Sequence, residues 1–260
     1  MMNRLSVLLA ALLLLTSASF LMAIKIDDQR SGKGQVELQT NTLSITITGN
    51  RNVPMFVLRF LNESTGAVTS GYKVQFDRIH QRDASHQIVP SSNVALASLD
   101  YNFSNFQTDT DGSVHFNITS TGTPSFEFRI HATPSANSFK FDTVVRNVQE
   151  SFWFSSAKYL ALCYKTLDRS NDKSIDPSVK GRRGDFGKAY FEIVPTGKTN
   201  RDEIVNATLS AESASVCVEY ARWNGTEMVH DPTIGLMNAA LTLKASSVLI
   251  VVMFILAMLF

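Results

Sequence analysis

The sequence predicts an all-β protein: an antiparallel two-sheet β-sandwich between a cleaved N-terminal signal and a C-terminal hydrophobic tail. Three observations predict it. Apolar residues recur with a period of two through most of the interior. Clusters of Gly, Asn, Asp and Pro break that alternation at short intervals. No stretch between the two ends carries a sustained helical period.

The chain opens with Arg4, then an uncharged run over residues 5–15, then Thr16-Ser17-Ala18-Ser19. An early positive charge, a short apolar core and small residues at a cut point describe a secretory signal, here residues 1–19. Cleavage after Ala18 or Ala23 is an alternative, as is an uncleaved anchor, although the apolar core is short for a bilayer.

Strands follow over residues 35–48 and 54–61, with turn signals at Gly49-Asn50 and Ser70-Gly71. Tyr72, Val74 and Phe76 form an apolar set; so do Val114, Phe116 and Ile118; Phe126, Phe128 and Ile130; and Phe139 with Phe141. Asp111-Gly112 and Thr121-Gly122-Thr123-Pro124 read as turns between them. Residues 158–165, 189–194 and 215–223 are further strands, and Val205, Ala207 and Leu209 alternate with Ile204, Asn206 and Thr208. About ten strands in about 220 residues suit one sandwich domain, residues 20–238. Two smaller sandwiches divided near residues 147–152 are the alternative.

The longest polar interruption is residues 166–188, rich in charge, Gly, Ser and Asp. It is expected to form a surface loop, because it holds too little apolar area to offset the entropy of ordering. Cys163 and Cys217, the two cysteines of the chain, are expected to form a disulfide in an oxidising compartment. They lie 54 positions apart, which in the chain-entropy model is worth about 3–4 kcal/mol.

The C-terminus ends in an apolar run, residues 248–260. As a helix this is roughly 20 Å long, short of a hydrocarbon core of about 30 Å. Asn238-Ala239-Ala240, a spacer and that tail follow the pattern of a glycolipid (GPI) attachment signal. Asn238 is the expected attachment residue, residues 239–260 the removed propeptide, and a membrane the partner reached through the glycolipid. A short spanning helix is the alternative.

Sequons occur at Asn62, Asn102, Asn117, Asn206 and Asn224, in keeping with a secretory route. Asn117 and Asn206 fall on polar faces of their strands, where a glycan can be carried. Net charge is +1, so neither nucleic acid nor a polyacidic partner is indicated.

Within the polar interruption stands Arg183-Gly184-Asp185-Phe186. In integrin-type recognition an Asp completes the coordination of a receptor-bound cation while an Arg reaches an acidic pocket, and Gly lets the backbone approach. The four residues are therefore the candidate receptor-binding site. The same stretch offers a rival reading: Lys180-Gly181-Arg182-Arg183 resembles a basic processing site, with the halves held by the disulfide after a cut beyond Arg183.

No enzyme signature is present. His80, His86, His115, His131 and His230 make no metal-ligand spacing, and no nucleophile elbow or phosphate loop occurs. Asp109-Thr110-Asp111-Gly112 starts like a calcium loop but lacks the later ligands, so a β-turn is expected. No metal and no cofactor are expected. Trp153 and Trp223 are read as core or rim aromatics, with sugar stacking the alternative.

The segments "SFEFRIHA" and "SFKFDTVVRNVQESFWF", with the signal and removable tail, resemble uncharacterised secreted proteins of the skeletal organic matrix of cnidarians. That resemblance implies residence in a biomineral matrix and no known catalytic site. The chain is not strongly acidic, so it implies a scaffold or adhesive part more than mineral binding. The expected function is thus cell adhesion or matrix organisation by an extracellular glycoprotein. A carbohydrate- or ligand-binding module without an adhesive role is the alternative.

Overall fold

The structure, a computed structural model, describes residues 25–27, 34–39, 43–50, 52–61, 65, 67–110, 114–122, 124–132 and 138–237. The signal, the tail, Asn62, Asn238 and the Asp111-Gly112 turn lie outside the described residues. What is described is all-β.

Strands β1 (Lys25–Asp27), β2 (Gly34–Gln39), β3 (Leu43–Asn50), β4 (Asn52–Leu61) and β5 (Val68–Arg82) form a meander. The short β6 (Val94–Ala95) extends the edge of β5. A second meander is β7 (Tyr101–Thr108), β8 (Val114–Ser120), β9 (Ser125–Ala132) and β10 (Ser138–Arg146). Then β11 (Tyr159–Asp168) returns to lie along β5. Three short strands follow, β12 (Ser178–Lys180), β13 (Arg183–Phe186) and β14 (Ala189–Glu192). The chain closes with β15 (Thr196–Thr199), β16 (Ile204–Glu212), β17 (Ser215–Ala221), β18 (Glu227–His230) and β19 (Thr233–Leu236).

Every pairing among the described residues is antiparallel. One series runs β1-β2-β3-β4-β5-β11-β17-β16. The other runs β7-β8-β9-β10, then through β19 to β14, β13 and β12. Strand β16 joins them, pairing with β15 near its start and with β17 from Ala207 onward.

Rings from the two series meet in the interior. Phe76 of β5 stacks on Phe128 of β9 with centroids 4.1 Å apart. Phe56 of β4 lies 4.9 Å from Phe139 and 5.2 Å from Phe141, both of β10. Tyr164 of β11 lies 4.9 Å from Phe191 of β14. The period-two alternation causes this, because it sends one set of side chains to a common interior. Phe116, Ile118, Phe126, Phe128, Ile130, Phe139 and Phe141 are all buried, each contributing about 1.5–3 kcal/mol by leaving water. One core cluster includes residues from Phe56 to Leu236, on both sides of residues 147–152.

Three expectations need correction. Residues 35–48 are two strands, not one: the apolar set changes parity, from Val36 and Leu38 to Leu43, Ile45 and Ile47, and one strand cannot keep both sets on one face. Ser70-Gly71 is no turn but lies inside β5, where a Cβ on Gly71 would stand 2.6 Å from the Leu58 carbonyl oxygen. The third concerns residues 166–188, which do not form one surface loop. Leu167 is buried and bridges Ser174, and β12 and β13 are paired strands. Two tight hairpins build this region. Lys180 pairs with Arg183 and Phe186 with Ala189, so each loop has two residues. Gly181 and Gly187 open these loops, both at φ +61°. A glycine of positive φ first in a two-residue loop matches the right-handed twist of the flanking strands. The glycines that suggest slack are what lets the chain fold back twice.

Candidate binding site

The Arg183-Gly184-Asp185-Phe186 segment is strand β13, hydrogen-bonded to β12 on one edge and β14 on the other. Gly184 faces inward: a Cβ there would lie 3.3 Å from methyls of Val179 and Val216. Phe186 is buried, edge-on to Tyr72 at 6.1 Å. Arg183 and Asp185 share the outer face and pair with each other, Nε to Oδ1 at 2.6 Å, while the guanidinium lies 4.2 Å over the Tyr190 ring. A receptor needs a turned backbone and two charges free to leave each other; this segment is extended and its charges are joined. The segment thus lacks the turned loop and the free charges on which the receptor-binding expectation rests. The bond after Arg183, where the processing expectation places a cut, lies inside a strand paired on both edges and not at a loop tip.

The expected disulfide is present. Cys163 and Cys217 face each other across β11 and β17 with Cα atoms 4.0 Å apart, and both are buried. They stand beside a charged network on the outer side of these strands. Arg82 donates to Glu219 Oε1 at 2.8 Å, contacts Glu212, and donates from Nε to His80 Nε2 at 3.1 Å. Arg78 donates to Glu212 Oε2 at 2.7 Å. His86, in the turn after β5, contacts Glu219 at 2.8 Å and stacks on Tyr159. Burial, then the charges of Arg82 and Arg78, push the His80 imidazole down to about 4. Burial likewise lowers the Arg82 guanidinium, against Glu219. His80, Cys163 and Glu212 come within 4.8 Å of one another, but the sulfur is committed to the disulfide and offers no thiolate to a metal. The charges of the network are paired within it, while His80 Nδ1 is buried without a hydrogen bond to a described residue.

Of the sequon residues described, Asn102 on β7 and Asn206 on β16 are exposed, and Asn117 on β8 is half-buried between buried Phe116 and Ile118. Asn224 is exposed in the turn between β17 and β18.

That turn forms one wall of a cleft of about 300 Å³, lined by residues from three separate segments. The first follows β10 and brings Val148, Gln149, Glu150 and Trp153. A 3-10 turn at Glu150–Phe152 presents Trp153, and the buried Gln81 amide holds it in place. Gln81 donates to the Phe152 carbonyl at 2.8 Å and accepts from the Phe154 N–H at 2.9 Å. The second segment brings Arg201 from the turn after β15, and the third brings Trp223, Asn224, Gly225 and Thr226. Trp153 and Trp223 meet edge to face at 5.2 Å. Arg222 lies 5.3 Å over the Trp153 ring and pairs with Glu150. The Val148 N–H donates to the Thr226 carbonyl at 3.3 Å, tying two walls together. The Trp223 indole N–H is buried and makes no hydrogen bond to a described residue.

Both indoles belong to the buried core, Trp153 7% and Trp223 2% exposed, in keeping with core or rim aromatics, so the cleft presents mainly amides, one carboxylate and one guanidinium around indole edges, a lining that suits a small polar ligand. The volume lies at the lower end of ligand pockets, about 300–1,000 Å³. Sequence reading singles out the two tryptophans; it does not find Gln149, Glu150 or Arg201, which carry no motif and come together only through folding. No protein-family model matches the chain, and no curated protein does.

Proposed function

We propose that this protein is an extracellular glycoprotein, held at the cell surface by a glycolipid, whose β-sandwich binds carbohydrate in adhesion or matrix organisation. One observation carries the reading: the chain's two tryptophans, Trp153 and Trp223, line one cleft with Gln149, Glu150, Arg201 and Asn224. Sugars present apolar C–H faces to aromatic rings and hydroxyls to amide and charged groups. Glu150 is held by Arg222, so the lining offers sugar hydroxyls the Arg201 guanidinium and the Gln149 and Asn224 amides. The secretory signal pattern, the sequons and the disulfide support the extracellular address.

The test is titration of the full chain, made in a secretory host, with neutral and sulfated oligosaccharides. Tryptophan fluorescence reports the cleft alone, since no other tryptophan exists. A saturable change with neutral sugars is expected, lost in Arg201→Ala together with Gln149→Ala. Folded protein that responds to no saccharide of the series refutes the reading.

A further inference from the structure

The wall of the cleft contains a glycosylation signal. Asn224-Gly225-Thr226 is a sequon, and all three residues line the cleft. Asn102, Asn117 and Asn206 instead lie on strands β7, β8 and β16, and none lines it.

The turn holds this sequon in a fixed place. Its Asn224 N–H donates to Glu203 Oε2 at 3.2 Å. Gly225 sits at φ +150°, and a Cβ there would stand 2.9 Å from Asn200 Oδ1, so only glycine fits. The Thr226 hydroxyl accepts from Asn200 Nδ2 at 3.2 Å, and its carbonyl accepts from Val148. Asn224 and Thr226 remain exposed, outside any strand, and the Asn224 side-chain amide forms no hydrogen bond to a described residue. The nitrogen that carries an N-linked sugar is therefore free, and it starts at the lip of a cleft walled by indoles.

We propose that the N-linked glycan on Asn224 folds back into the Trp153–Trp223 cleft as its resident ligand, so that occupancy of this sequon decides whether the cleft accepts a saccharide from outside. The proposal rests on the carbohydrate reading of the cleft and adds its regulation. Tethering makes it effective: a short linker supplies an effective concentration on the order of millimolar, enough to fill a site of only millimolar affinity.

The experiment compares the full chain from a secretory host as wild type, Asn224→Gln and Thr226→Ser, the last keeping a valid sequon. Glycopeptide mass spectrometry reads occupancy of Asn224. Acrylamide quenching and the emission maximum read the two tryptophans, with and without free N,N′-diacetylchitobiose. Wild type and Thr226→Ser are expected to be occupied, shielded from acrylamide and insensitive to the free sugar. Asn224→Gln is expected to be more quenched, red-shifted, and shielded again by chitobiose. If Asn224→Gln does not fold, deglycosylation of folded wild type with peptide N-glycosidase replaces it. An unoccupied Asn224, or equal quenching with and without its glycan, overturns the proposal. Equal binding of chitobiose by occupied and unoccupied forms overturns the regulation while leaving the carbohydrate site standing. Shielding by the glycan with no response of the unoccupied form to any free sugar keeps the resident ligand and refutes binding of outside saccharides.

Discussion

Placing leucine at Gly184 tests the burial of β13 directly. The Cβ alone would lie 3.3 Å from Val179 Cγ2, 3.3 Å from Val216 Cγ2 and 3.5 Å from Leu209 Cδ2. Leucine adds three further carbons where those methyls already close the space. Overpacking of this kind costs about 1–3 kcal/mol. Losing glycine restricts the unfolded chain and returns about 0.4–1 kcal/mol. At the midpoints of these ranges the net loss is about 1.3 kcal/mol, which for a domain of this size lowers Tm by roughly 3–5 °C. Circular dichroism or calorimetric melting of the full chain measures it. The same substitution in a solvated loop changes stability by no more than about 0.5 kcal/mol. A Tm equal to wild type, within about 1 °C, would refute the packed strand and restore the loop. Gly184→Ala is the internal control. Its single methyl needs its neighbours to give by only tenths of an ångström, so its effect is smaller than that of leucine.

Two other outcomes follow from the outer face of β5, β11 and β17. Replacing Cys163 and Cys217 together by serine is expected to cost about 3–4 kcal/mol, read as a lower urea midpoint, and an unchanged midpoint would show that the bridge does not stabilise the fold. His80 titrates at about 4 in the folded protein against 6.5 unfolded, so between those values the unfolded chain binds the extra proton. Stability contributed by neutral His80 is thus complete above about pH 6.5 and lost as pH falls toward 4, by at most on the order of 3 kcal/mol. Urea midpoints at several pH values should depend less on pH in His80→Gln than in wild type; parallel profiles would exclude this role.

The cleft was half legible. Trp153 and Trp223 stand out in the sequence as large, rare aromatics, yet nothing local says that they touch. Their meeting depends on β10 and β17 being brought together through β18 and β11. Gln81 shows the same limit: it reads as an ordinary strand residue, and only the fold sets its amide against the carbonyl of Phe152 and the N–H of Phe154. The hairpins at Gly181 and Gly187 were legible in principle, as two-residue loops opened by glycine, but the charge of the surrounding residues masks them.

By itself the sequence determined the class of fold and which residues face the core, because a period of two is a property of each strand alone: Phe116, Phe128, Phe141 and Leu209 are buried as their alternation requires. It also determined the disulfide, having two cysteines to join. Only the tertiary structure decided what becomes of a polar segment. Local composition measures how little apolar area β13 can bury, whereas its burial depends on Val216 and Leu209, supplied by strands that follow it in the chain. The cleft is likewise a product of distance in sequence, its walls drawn from residues 148–153, 201 and 223–226, which the sheet brings to one place.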